Sequence, residues 1–170
     1  MPTVSRPVDY FAAFTNPWAA APGRTPSFLT ADEGERMDVL GQTVTVKVGA
    51  RGTVSASTLF EVLCPPGVGT PPHREAGDET YFVLEGTLTF LVDDAIVHAS
   101  AGDCLFVPRG VRHAESNTGQ RPARALVVST LGERKERMFA ELARLAAHGT
   151  PDGDAIAAVC AAHGVTLALD

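Results

Sequence analysis

The sequence predicts an all-β body whose strands close into a barrel, followed by two short helices. Three observations predict it. Short apolar runs with period-two alternation recur along the chain. Many of the 16 glycines and 12 prolines fall in the gaps between those runs. At least eight strand segments follow one another, enough to close a sheet. A hydrophobic fraction of 45% supplies a core, and 170 residues suit one domain.

Residues 1–36 are rich in Pro, Ala, Thr and Gly and carry Phe11, Phe14, Trp18 and Phe28. They read as an irregular N-terminal arm that packs its aromatics on the barrel or on a second subunit, with a ligand lid as the alternative. The barrel reads as residues 37–132, its β-rich part beginning near Asp38. Residues 43–48 alternate and are rich in β-branched side chains. Residues 54–63 form a second segment, stopped by Pro65-Pro66-Gly67. Residues 80–84 and 87–92 flank a Glu85-Gly86 turn, and Asp93-Asp94 turns the chain into 96–99. Residues 104–107 end at Pro108, 112–117 follow a turn at Gly110, and 123–131 give the last strong strand signal. Phe60, Phe90 and Phe106 read as barrel filling, and Cys64 and Cys104 as short apolar fillers.

The pattern changes after Gly132, and residues 133–170 read as a helical extension covering the barrel or a partner. Met138, Leu142 and Leu145 recur at helical spacing. A second helix is expected to take Thr150 as cap and Pro151 as first residue. Ile156, Val159, Cys160 and His163 would share one face, and Gly164 would end the helix.

Composition argues against two classes of partner. A formal charge of −6, with no basic stripe and no array of stacking aromatics, disfavours nucleic acid. No stretch of about 18 apolar residues is present to span a bilayer. The first residues lack the basic segment and apolar core of a signal peptide, and the three cysteines show no paired ligand spacing. A reduced, cytoplasmic location is the resulting expectation.

The chemistry concentrates in two stretches, Gly67-x5-His73-x-Glu75-x3-Glu79-x6-Gly86 and Gly102-x5-Pro108-x-Gly110-x2-His113-x3-Asn117. Residues two apart on a strand point the same way, so His73 and Glu75 face one cavity. Glu79 returns to that face if residues 76–78 bend. His113 approaches from a later strand. Imidazole nitrogen and carboxylate oxygen together suit a divalent metal: iron, manganese, cobalt, nickel or zinc. Asn117 is expected to satisfy backbone groups near a strand end. Tyr81 shares the parity of Glu79 and would form the pocket wall or orient a substrate. Glu115 shares the parity of His113 and reads as an ion-paired or solvated side chain. Arg109 and Arg112 hold turns or face solvent, and His98, His148 and His163 lack ligand spacing.

The paired spacing resembles the double motif of the cupin family, and residues 81–86 and 106–113 strengthen the likeness. The resemblance covers roughly residues 43–131 and points to a small single-domain cupin similar to the quercetin dioxygenase group. It implies a conical jelly-roll barrel with a divalent metal in its lumen. His73 matches the first family histidine, Glu79 the family glutamate and His113 the histidine of the second motif. Glu75 stands where the family usually has a second histidine. Glu75 is then either a fourth metal ligand or a catalytic base beside a His73, Glu79 and His113 set. The activity implied is a metal-dependent dioxygenase taking dioxygen and a small aromatic, enol or flavonol-like substrate. A metal-dependent isomerase or lyase and a non-catalytic small-molecule binder are the alternatives. A homodimer is expected.

Overall fold

The computed structural model describes residues 27–53 and 57–168. The arm aromatics Phe11, Phe14 and Trp18 lie outside these residues, and Phe28 is exposed. In chain order come β1 (Glu35–Val39), β2 (Gln42–Val48), β3 (Thr58–Cys64), β4 (His73–Glu75), β5 (Glu79–Glu85), β6 (Thr87–Val92) and β7 (Ala95–Ser100). They continue with β8 (Cys104–Val107), β9 (His113–Ser116), β10 (Ala123–Ser129), α1 (Gly132–Ala146), α2 (Gly153–Ala162) and β11 (Val165–Leu167). One sheet runs β1-β2-β3-β10-β5-β8 and the other β11-β4-β9-β6-β7. This is a two-sheet jelly roll, mostly β, with the helices following the barrel strands.

Alternation sets which side chains enter the core. On β3, Thr58, Phe60, Val62 and Cys64 are buried, and on β10 Ala123, Ala125, Val127 and Ser129 are buried. The hairpin β6–β7 turns at Asp93, whose φ of +50° is the left-handed geometry that a short Asx residue tolerates. Helix α1 presents Lys135, Met138, Phe139 and Leu142 inward, and Phe139 meets Phe60 edge to face at 5.2 Å.

The structure departs from the sequence reading at several points. Strand β1 begins at Glu35, inside the segment read as arm, because it pairs along β2 from Glu35↔Val46 to Val39↔Gln42. Residues 54–56 of the second strand segment lie outside the described residues, and β3 starts at Thr58. Helix α2 is capped not by Thr150 but by Asp152, whose carboxylate accepts from the Ala155 N–H at 2.7 Å. Phe106 and Cys104 are exposed rather than filling the barrel, since on β8 it is Val107 that turns inward. Strand β11 was not foreseen; it pairs with β4 in the register Val165↔Glu75 and Leu167↔His73.

The outward face of the six-stranded sheet divides in two. Over β1 and β2 it carries Arg36, Asp38, Thr43 and Lys47. Over β10, β5 and β8 the exposed side chains include Val128, Phe82, Leu84 and Phe106. The registers Val128↔Thr80, Thr80↔Phe106 and Leu126↔Phe82 make this apolar region continuous out to β8, the edge strand.

Candidate metal centre

Both sheets and one helix supply the centre. Strands β4 and β9 pair directly at His73↔His113, which brings the two rings to a centroid separation of 4.3 Å. Glu75 follows His73 on the same face of β4. The chain then bends at residues 76–77 and enters the other sheet as β5, whose first residue is Glu79. Gly77 is required in that bend: a Cβ there would stand 2.6 Å from the Thr130 carbonyl oxygen. The structure thus brings the four side chains expected as ligands into one cluster. Donor atoms of His73, Glu75, Glu79 and His113 all lie within 4.8 Å of one another, and all four residues are buried.

The imidazole tautomers follow from their neighbours. His73 Nδ1 lies 2.8 Å from the Pro71 carbonyl and His113 Nδ1 lies 3.0 Å from the Val111 carbonyl. A carbonyl only accepts, so each Nδ1 carries a hydrogen and each ring turns its Nε2 toward the cluster. There the Nε2 atoms meet carboxylate oxygens. His73 Nε2 is 3.1 Å from Glu75 Oε1, and His113 Nε2 is 3.5 Å from Glu79 Oε2. Among the described residues, His113 Nε2 and Glu79 Oε1 have no hydrogen-bond partner despite being buried. Burial pushes the His113 imidazole down, and the neighbouring Glu79 carboxylate outweighs that and raises its pKa above the ordinary value. Two imidazole nitrogens and two carboxylates converging in one buried site form a donor set that a cation bridges. This donor set fits a divalent metal, held by imidazoles whose other nitrogen is anchored to backbone.

A cation from the chain itself also reaches the cluster, and the sequence reading did not anticipate it. Lys135, on the first turns of α1, is buried and places Nζ 2.9 Å from Glu79 Oε1 and against Glu75 Oε1. Glu79 Oε2 accepts a hydrogen bond from the Tyr81 hydroxyl at 2.6 Å. Burial pushes the Glu79 carboxyl upward, but the Lys135 charge, with His113 and the Tyr81 hydroxyl, outweighs it and leaves the group below the usual carboxylate range. For Lys135, burial disfavours the ammonium, and the Glu75 and Glu79 charges more than restore it. Burial and then the Glu79 charge raise the Tyr81 phenol well above its ordinary value, so it stays a donor.

Above the cluster lies a cavity of about 90 Å³. Its walls are mostly apolar and include Val44, Phe60, Val62, Met138 and Phe139. Glu115, expected to be solvated or ion-paired, is instead buried in this wall, where Gln42 Nε2 at 3.1 Å and the Thr70 hydroxyl donate to it. Asn117 has the structural role expected of it. Its Nδ2 donates to the Cys64 and Arg121 carbonyls at 2.8 and 2.7 Å, and its Oδ1 accepts from Gly119 N–H at 2.9 Å. His98 and His148 are exposed, and His163 pairs with Glu141 on α1 at 3.2 Å; none belongs to the four-donor cluster.

Comparison with known proteins places this barrel. Residues 60–129 match the family model described as Cupin domain. An RmlC-like cupin from Shewanella frigidimarina superposes with a TM-score of 0.57 at 18% identity, covering 66% of this chain and 97% of the other. A sugar phosphate isomerase from a cupin superfamily, from Silicibacter pomeroyi, superposes with a TM-score of 0.54 at 27% identity, covering 61% and 75%. Among curated proteins, the endoribonuclease YbeY of Myxococcus xanthus is 34% identical over 98 residues, 57% of this chain. That match spans only 31% of the curated relative's length. The family match covers less than half of the chain, and the superposed structures share its two-sheet barrel: residues 60–129 match a cupin domain, and the fold is that of cupin structures.

Proposed function

We propose that this barrel is a divalent-metal-dependent enzyme that moves a proton on a small molecule bearing a carbonyl or enol. His73, Glu79 and His113 hold the cation and Glu75 exchanges the proton. The observation that carries this reading is the buried cluster of two imidazoles and two carboxylates, whose donor atoms lie within 4.8 Å of one another and of which His73, Glu75 and Glu79 line the cavity. A bound divalent ion supplies Lewis-acid polarisation of a carbonyl or enolate oxygen. The protein's own residues do the rest. Glu75 Oε1 stands at the cluster beside the Lys135 ammonium and would take the proton from a substrate C–H or O–H. Tyr81 fixes the rotamer of Glu79 through its hydroxyl. The apolar walls exclude water, which strengthens each of these interactions.

Cavity size bears on the substrate. A dry cavity of about 150 Å³ takes a benzene ring, whereas this one is about 90 Å³. The volume favours a compact oxo or hydroxy compound over a three-ring flavonol. The sugar phosphate isomerase among the similar structures supports an oxygen-independent reaction. Dioxygenase chemistry is the second reading, favoured because a set of two imidazoles and one carboxylate leaves coordination positions open. Turnover of a common panel of enolisable compounds under argon and under air separates the two.

The metal is tested directly. Wild-type protein loaded with Co(II) and dialysed is expected to retain about one equivalent by elemental analysis, as a single four-donor cluster implies. His113→Ala is expected to weaken retention by more than the roughly 10–100-fold that loss of an outer hydrogen-bond partner costs. Failure of the wild type to retain Co(II), Mn(II), Fe(II), Ni(II) or Zn(II) would overturn the reading.

We further assign the expected homodimer to the apolar half of the six-stranded sheet, with a second copy as its occupant. That half runs continuously to the edge strand β8, so a two-fold copy brings Phe82 and Phe106 against their own equivalents. Sedimentation is expected to give a dimer for the wild type and a monomer for Phe106→Glu. A monomeric wild type rejects the assignment.

A further inference from the structure

We propose that Lys135 is a tethered counter-cation: it holds the ligand carboxylates together in the metal-free protein and releases Glu79 when a divalent ion enters. The inference rests on the metal reading above and concerns how that site loads.

Geometry supports an exchange. The Lys135 ammonium is 2.9 Å from Glu79 Oε1 and also touches Glu75 Oε1. The donor atoms of the whole cluster lie within 4.8 Å of one another, so an ion among them is only a few ångströms from Nζ. A divalent ion and an ammonium that close repel strongly in a buried site. They cannot both occupy the Glu79 Oε1 position.

The lysine is also an incomplete occupant. Its ammonium donates to Glu75 Oε1, while among the described residues His113 Nε2 has no hydrogen-bond partner and Glu79 Oε1 lies at ion-pair distance but outside hydrogen-bonding geometry. A metal meets those two atoms in a way that the ammonium does not. Charge explains why the lysine is there. With Glu75 in place of a neutral imidazole, the pocket buries a second carboxylate, and one chain-borne cation offsets it. The exchange needs no movement of α1. The lysine stem is long and flexible, so Nζ can swing from Glu79 while retaining Glu75.

The test is equilibrium Co(II) binding, measured by chelator competition, on wild type, Lys135→Met, Glu75→Gln and the Glu75→Gln/Lys135→Met pair. Thermal melts are recorded with and without Co(II). Removing the competing cation is expected to tighten Co(II) binding by about tenfold or more. The melting temperature of Lys135→Met should fall without Co(II) and recover with it. If the single variant fails to fold, the double variant compared with Glu75→Gln carries the same expectation. Co(II) bound by wild type and Lys135→Met with equal affinity, or more weakly by the variant, overturns the exchange and leaves the metal reading standing. No Co(II) bound by any of the four proteins overturns both. Binding by the lysine-free variants but not by the wild type overturns the exchange, because the lysine then excludes the ion instead of yielding Glu79 to it.

Discussion

Glu79→Ala is expected to lower the stability of the metal-free protein by about 3–5 kcal/mol, the range for removing one partner of a buried ion pair. Glu79 is 1% exposed and is one of two carboxylates that neutralise the buried Lys135 ammonium. Its removal leaves Lys135 with Glu75 alone and deprives the Tyr81 hydroxyl of its acceptor at 2.6 Å. Urea denaturation of the chelator-treated protein measures the loss. A double-mutant cycle identifies its origin. Glu79→Gln combined with Lys135→Met removes both charges, so its cost should be well below the sum of the two single changes. A loss below about 1 kcal/mol for Glu79→Ala would be the value of an exposed pair and would contradict the buried ion network.

Asn117→Ala is expected to cost about 2–4 kcal/mol, since each buried polar group left unpaired costs about 1–3 kcal/mol. The amide ties the Cys64 carbonyl at the end of β3 to the Arg121 carbonyl and to Gly119 N–H, and Asn117 is itself 1% exposed. Asn117→Asp discriminates between packing and hydrogen bonding. It preserves volume and the Oδ1 acceptor but turns a carboxylate oxygen toward two carbonyls, so it should be at least as damaging as alanine. Equality of Asn117→Asp with wild type in a thermal melt would show that the two donated bonds contribute nothing. Because Asn117 directly follows β9, the alanine variant is also expected to retain less metal at His113.

Much of this was legible in the sequence because it rests on local rules. The parity of His73 and Glu75 follows from strand geometry, and a bend within residues 76–78 is what the spacing to Glu79 asks for; that Gly77 must be there because of Thr130 is visible only in the structure. Cross-strand pairing such as His73↔His113 was reachable through the motif spacing. What escaped depends on tertiary context. Alternation on β8 gives two faces but not which one is inside, and Phe106 falls on the outer one. Strand β11 has three residues and exists because β4 offers it an edge. Glu115 is buried because Gln42 and Thr70 come from two other segments to meet it. Lys135 did leave a signal: it begins the stripe 135, 138, 139 and 142, at the spacing of a core-facing helix row. A lysine in that row is ordinarily read as a stem that snorkels to water. Only the two carboxylates on the opposing strands make its burial sensible.

Strand β4 carries His73 and Glu75 between β9 on one side and β11 on the other. A nascent polypeptide must therefore have emerged as far as Leu167 before this short ribbon has both neighbours. Lys135 emerges only after every barrel strand from β1 to β10 has been made. The carboxylate-lined pocket is consequently the last part of the barrel to mature during synthesis, and a product terminated after β10 would have most of its sheets but an open, uncompensated acidic lumen.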